Sequence, residues 1–245
     1  MKKGLEQLDL MQLKRETNPN HQVYAGAETE KKGGGMTFIN TGGLSIDFPP
    51  QDTGTNYFVA TEDCSVHKCS TSYSEQYLQN YYGHSGPVYK VRCNPFWHPI
   101  DCPIFLTCSY DWTVRVWNAK EGNEKLRCIQ IKSLTEQVND IYWNDETSAV
   151  FASVANDGRI EIWDLARSTL GPVITHFDVN KEDGSEDKTA RTVVRFTNKG
   201  KVLLTGNVNG KVDVYRTQGL EHGPVTEEEQ IARINRALKK DDYSE

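Results

Sequence analysis

The residues best equipped for chemistry in this sequence are His84 and Asp111. An imidazole steadied by a carboxylate can serve as a general base, and read that way the two would form a catalytic dyad. The hydroxyl beside them, in His84-Ser85, reads as a turn signal and not as an activated nucleophile. Elsewhere no nucleophile or acid converges with a base. Cysteines stand at 64, 69, 93, 102, 108 and 128, an even number, yet no CxxC pair supports zinc. A chain of this length with no secretory signal does not need disulfide staples, so reduced, mostly buried thiols are expected. No enzyme activity, cofactor or metal follows from these residues.

The positions of His84 and Asp111 make better sense as parts of a repeat. Four segments align: Phe58 to Cys69 (FVATEDCSVHKC), Phe105 to Trp117 (FLTCSYDWTVRVW), Phe151 to Trp163 (FASVANDGRIEIW) and Leu203 to Tyr215 (LLTGNVNGKVDVY). Each is an apolar strand, a turn on Asp or Asn, then an alternating strand. The turn residues Asp63, Asp111, Asp157 and Asn209 are spaced by 48, 46 and 52. That period belongs to propeller blades of four strands. Asp157-Gly158 and Asn209-Gly210 accept positive φ and join antiparallel strands tightly. Val114/Val116, Ile160/Ile162 and Val212/Val214 alternate with polar residues, the period of half-buried strands. Residues 88–91 and 138–143 alternate likewise and supply the inner strand of their blades. The expected fold is all-β, a partial propeller of about four blades with a C-terminal helix.

Composition bounds the partners. The 245 residues are 37% hydrophobic and 25% charged, with a net charge of -6. Nucleic acid and anionic membrane both call for a basic patch, which is missing. No apolar run approaches the roughly 20 residues that cross a bilayer. The expected layout is 1-42 as the last strand of an absent blade plus a Gly-rich linker, 43-220 as four blades, and 221-245 as a helical tail. Gly4 to Arg15 (GLEQLDLMQLKR) carries that last strand. The mixed-charge stretch from Asp178 to Arg191 reads as a solvated excursion. In the tail, Thr226 can cap, Glu227 to Glu229 and Lys239-Lys240 suit the helix dipole, and Ile231, Ile234 and Leu238 form one stripe. That stripe could dock on the blades or on a partner helix. Four blades leave two sheet edges open, which is expected of a fragment or truncated form; a four-bladed ring and completion by a partner chain are the alternatives.

Gly83-His84, Asp111 and Trp117 resemble the spacing of a GH…WD-type repeat. The resemblance implies a hydrogen-bonded chain of His84, Asp111, Thr107 and Trp117, with Asp157 and Trp163 at the matching positions of the third blade. The third blade lacks a preceding Gly-His, the fourth has Asn209 and Tyr215, and the first ends in Cys69. Longer phrases are more specific. SEQYLQNYYGHSGPVYKVRCNPF, LTCSYDWTVRVW, IEIWDLARSTLGP and DLMQLKR are similar to the WD-repeat part of the dynein intermediate chain family, and to its axonemal inner-arm members above its outer-arm ones. This resemblance implies a scaffold in the cytoplasm and axoneme that holds a dynein heavy-chain tail beside a second intermediate chain. Light chains would bind a region ahead of the propeller that has no match here. Contacts would fall on exposed loop aromatics: Trp112, Tyr110, Phe96, Trp97, Tyr81 and Tyr82. A generic WD-repeat adaptor is the rival reading.

Overall fold

The computed structural model describes residues 11–14, 40–50, 55–96, 103–119, 127–132, 136–179, 184–220 and 226–240. The strands run in antiparallel sheets ordered as they occur in the chain. The first blade comprises Gly43–Asp47 (β1), Asn56–Thr61 (β2), Ser65–Ser70 (β3) and Gln79–Tyr82 (β4). The second has Val88–Cys93 (β5), Ile104–Ser109 (β6), Thr113–Asn118 (β7) and Arg127–Lys132 (β8). The third has Val138–Trp143 (β9), Val150–Ala155 (β10), Ile160–Asp164 (β11) and Ile174–His176 (β12). A short hairpin of Asp178–Val179 (β13) and Glu186–Asp187 (β14) precedes the fourth, which has Arg191–Thr197 (β15), Val202–Asn207 (β16) and Val212–Arg216 (β17). The first strands β1, β5, β9 and β15 pack side by side in that order, as inner strands of successive blades do.

Register shows why the repeat is legible and where its first unit slips. Phe105 pairs with Trp117, Phe151 with Trp163 and Leu203 with Tyr215 across their hairpins. In the first blade the partner of Cys69 is Tyr57, not Phe58, so the unit starts one residue earlier than the sequence alignment places it. Phe58 instead faces the seam with the second blade, where it lies 4.6 Å from the Phe105 ring. All four hairpins turn through a left-handed residue at the same place: Cys64 at φ 63, Trp112 at φ 68, Gly158 at φ 85 and Gly210 at φ 80. Glycine adopts that conformation freely, whereas other L-residues resist it. At Gly158 a Cβ would also sit 2.6 Å from the Asp187 carbonyl oxygen, so only glycine fits.

The core lies in the seams between blades. One cluster joins the first and second blades through Phe58, Tyr81, Val91, Phe105 and Trp117. Another joins the third and fourth, where Val150, Ala152 and Val154 of β10 meet Val194, Phe196 and Leu203. The inner strands are tied by side chains. Ser45 Oγ accepts Val91 N–H at 3.3 Å, Asp47 Oδ2 accepts Cys93 N–H at 2.7 Å, and Asp140 Oδ2 accepts Val194 N–H at 3.0 Å.

The helix α1 (Glu227–Lys240) closes the seam between the second and third blades. Thr226 and Glu229 cap each other's N–H groups at its start, with bonds of 3.2 and 3.3 Å. Ile234, Ala237 and Leu238 are buried in the cluster that holds Ile104, Trp143 and Leu165. Gln230 Oε1 accepts the Ser148 N–H at 3.0 Å and its Nε2 donates to Glu146 O at 2.9 Å. The stripe therefore docks on the chain's own blades. No helix among the described residues is long and apolar enough to cross a membrane.

Candidate protein-binding surface

The second blade carries a complete polar chain. Asp111 Oδ2 lies 2.9 Å from His84 Nδ1, His84 Nε2 lies 2.6 Å from Thr107 Oγ1, and Trp117 Nε1–H donates to Thr107 Oγ1 at 2.8 Å. Burial lowers the His84 pKa, outweighing the neighbouring carboxylate. Burial alone would raise that of Asp111, but the hydrogen bond from His84 holds it well below the usual carboxylate range. Both shifts agree on a neutral imidazole beside a charged carboxylate. Nδ1–H therefore donates to Asp111, and the Thr107 hydroxyl donates to Nε2. Every member finds a partner, which is what a buried polar network needs.

Although a hydroxyl, an imidazole and a carboxylate stand in line, they cannot act on a substrate. Thr107 is fully buried and His84 is 3% exposed. The remaining capacity of the hydroxyl is taken by Trp117. What the chain does is hold a turn. Asp111 accepts from Ser85 N–H at 2.9 Å, Thr113 N–H at 3.0 Å and Thr113 Oγ1–H at 2.6 Å, as well as from His84. Ser109 Oγ accepts Asp111 N–H at 3.1 Å, and Tyr110 N–H donates to Pro87 O at 3.0 Å. Asp111 points inward, and its neighbours Tyr110 and Trp112 are 55% and 48% exposed. A fixed turn with two outward aromatics would lose little side-chain order on meeting a partner.

The other sequence-selected aromatics fare differently. Tyr81 is a correction: only 1% exposed, it packs between Phe58, Phe105 and Trp117, so it belongs to the core and offers no contact. Tyr82 and Phe96 are half-buried. Trp97 lies outside the described residues.

Each remaining blade solves the same polar position differently. In the third, Trp163 Nε1–H donates to Glu161 Oε2 at 3.3 Å, and Arg159 pairs with Glu161 at 3.1 Å; Asp157 accepts Arg159 N–H at 3.2 Å. In the first, His67 bridges Ser65 Oγ at 3.0 Å and Asn80 Oδ1 at 2.7 Å and stacks on Tyr77. In the fourth, Arg191 is 1% exposed and donates to Gly158 O, Thr205 Oγ1, Asp213 and Asp178, while Tyr215 O–H donates to Asp178 at 2.6 Å. The stretch expected to be a solvated excursion is thus anchored at both ends. Sequence reasoning missed Arg191 because arginine at that place belongs to no repeat pattern; the neighbouring Asp213 and Thr205 were the available signal.

Cys69, Cys93, Cys108 and Cys128 are free thiols. Burial pushes the Cys69 thiol up to about 12 and raises those of Cys93 and Cys108, so these are poor nucleophiles. No group of three His, Cys, Asp or Glu side chains among the described residues could hold a metal. A cavity of about 370 Å³ opens at one end of the inner strands, lined by Asp47, Arg92, Tyr142, Trp143, Asp145 and Arg195 among others.

Comparison with known proteins fits this geometry. Residues 75–118, which span the His84 to Trp117 network, match the WD domain, G-beta repeat. Over 90% of its length the chain is 38% identical to the human dynein axonemal intermediate chain 4 and covers 24% of that protein. Over that stretch the chain is similar to dynein intermediate chains. Other members of that family follow: the ciliary dynein intermediate chain 2 of Heliocidaris crassispina is 32% identical over 80% of the chain, with 28% of its own length covered. The 78 kDa flagellar outer-arm intermediate chain of Chlamydomonas reinhardtii is 29% identical over 87%, with 31% covered. The chain spans about a quarter of the length of the axonemal intermediate chains it matches. The solved structure of the computationally designed Ika4 protein shares the fold, with a TM-score of 0.51, 17% identity, and coverage of 73% of this chain and 92% of that one.

Proposed function

We propose that the chain is a non-catalytic scaffold of an axonemal inner-arm dynein, holding the heavy-chain tail through the rim of Tyr110 and Trp112 beside a second intermediate chain. The observation that carries this reading is the Asp111 turn, which buries a polar network beneath two exposed aromatics. A Trp in left-handed conformation costs about 1–2 kcal/mol that glycine would avoid, and strain of this kind points to a use for the side chain. The axonemal, ciliary and flagellar names of the relatives support a place in the axoneme.

The test is capture of a recombinant heavy-chain tail by the chain and by Trp112→Gly and Tyr110→Ala variants. Trp112→Gly keeps the turn relaxed, so its folding stability holds or rises while binding weakens by about 1–4 kcal/mol if the ring is an anchor. Undiminished capture by both variants would sink the assignment of this rim. Capture by neither the variants nor the parent chain would sink the heavy-chain reading itself.

A further inference from the structure

Charged side chains converge near the ends of the inner strands. Strands β1, β5, β9 and β15 all line the cavity of about 370 Å³, and its described lining runs from Asp47 to Arg195, well inside the chain. The site lies at the opposite end of the second blade from the Asp111 turn. Across β5 and β6, Val88 pairs with Ser109 next to that turn, whereas Cys93 pairs with Phe105 at the cavity end.

Two arginines line this space, and only one is paired. Arg195 Nη1 donates to Asp140 Oδ2 at 3.2 Å and to Val194 O at 2.7 Å, and its guanidinium lies over the Tyr142 ring at 4.6 Å. Arg92 has no carboxylate partner among the described residues. Its Nη1 reaches Val91 O at a long 3.5 Å, and its Nε is buried without an acceptor. A guanidinium carries five N–H donors, and burying donors without acceptors is costly. The charges of both arginines act on Asp47 from across the cavity, but its Oδ2 is taken up by the Cys93 N–H at 2.7 Å. Asp145 stands exposed at the rim, where no described cation offsets its charge.

We infer that the cavity is a docking pocket for an acidic side chain on an extended segment of a partner protein, its carboxylate received by Arg92 with Arg195 beside it. A planar carboxylate matches the guanidinium fork and fills donors that the chain itself leaves open. The size suits one or two side chains, since pockets for small molecules run from about 300 to 1,000 Å³. The rim argues for a segment and against a free acid. Phe48 is 45% exposed, and Pro50 and Pro95 are exposed beside it. Apolar neighbours of the acidic residue would cover these three, whereas a small free acid would leave them bare. Asp145 repels a run of acids, so a lone acid between apolar residues fits best. The inference does not depend on the dynein reading or on the Tyr110 and Trp112 rim.

Magnetic resonance on the isotope-labelled 245-residue chain tests it, through the indole N–H signal of Trp143, which lines the cavity and donates to Arg92 O at 3.0 Å. A capped pentapeptide with one glutamate between two leucines shifts that signal saturably. Its glutamine and lysine counterparts bind at least about 10-fold more weakly, and glutarate alone binds more weakly than the peptide. Arg92→Gln lowers affinity for the glutamate peptide by about 10-fold. Asp145→Asn, at an exposed position, raises it about 2-fold by removing a like charge. That variant decides the matter if circular dichroism shows Arg92→Gln to be unfolded. Absence of a saturable shift, a lysine peptide that binds as well as the glutamate one, or unchanged affinity in the folded variants would overturn the anion pocket. Glutarate binding as tightly as the peptide would overturn the docking of a protein segment.

Discussion

His84 is held neutral between a carboxylate and a hydroxyl, and that sets a pH dependence. Its pKa falls below the ordinary 6.5 because of burial. Below about pH 6.5 the unfolded chain takes up a proton that the folded one refuses, so stability is full above that pH and declines as pH drops toward 5. Asp111, whose folded pKa lies below the usual 3.8, adds a further loss only in stronger acid. Urea unfolding midpoints between pH 7.5 and 5 should therefore fall, and His84→Gln should start less stable but show a flatter profile. An equally steep variant would show that other groups set the slope. His84, Asp111 and Trp117 were legible in the sequence because their types and spacing are those of a known repeat. Glu161, Arg191 and Asp140 were not, since each fills a role that the pattern assigns to another residue type or to none. Trp112 was legible as an oddity after the turn aspartate, but its positive φ could only be read from the backbone.

At the scale of elements, hairpin strands announced themselves through alternation and turn residues, and helix α1 through its cap and stripe. The stripe did not say what it covers, because an amphipathic helix looks the same whichever apolar surface it meets. Nor did it reveal Gln230, a polar residue whose burial is explained only by the Ser148 and Glu146 backbone groups it satisfies. Ile234 is fully buried between the second and third blades, so Ile234→Ala should cost about 2–5 kcal/mol in urea unfolding. Arg236→Ala on the exposed side of the same helix should change stability by about 0.5 kcal/mol or less. Equal effects at both positions would mean that the helix does not brace the seam. The first-blade slip has a simple cause. Phe58 looks like the aromatic that opens the later hairpins, yet Tyr57 stands in that register.

At the scale of the whole molecule, the four described blades follow one another along the chain with no continuous strand ladder between them. Apolar seams hold them face to face, and α1 braces one of the three. The number of blades was readable from the spacing of Asp63, Asp111, Asp157 and Asn209, while the exposure of Ile46 and Val214 had to be read from the structure. The side-chain clasps along the inner strands have an outcome for solvent access. The Val91, Cys93 and Val194 amides are sheltered by Ser45, Asp47 and Asp140 instead of by backbone carbonyls. In deuterated buffer these amides should therefore exchange slowly despite lacking a ladder partner, and Asp140→Ala should release Val194 while leaving the β10 and β11 amides protected. Isotope uptake would then trace the joints of the propeller separately from its blades, so that a loosening between neighbours could be seen before either sheet melts.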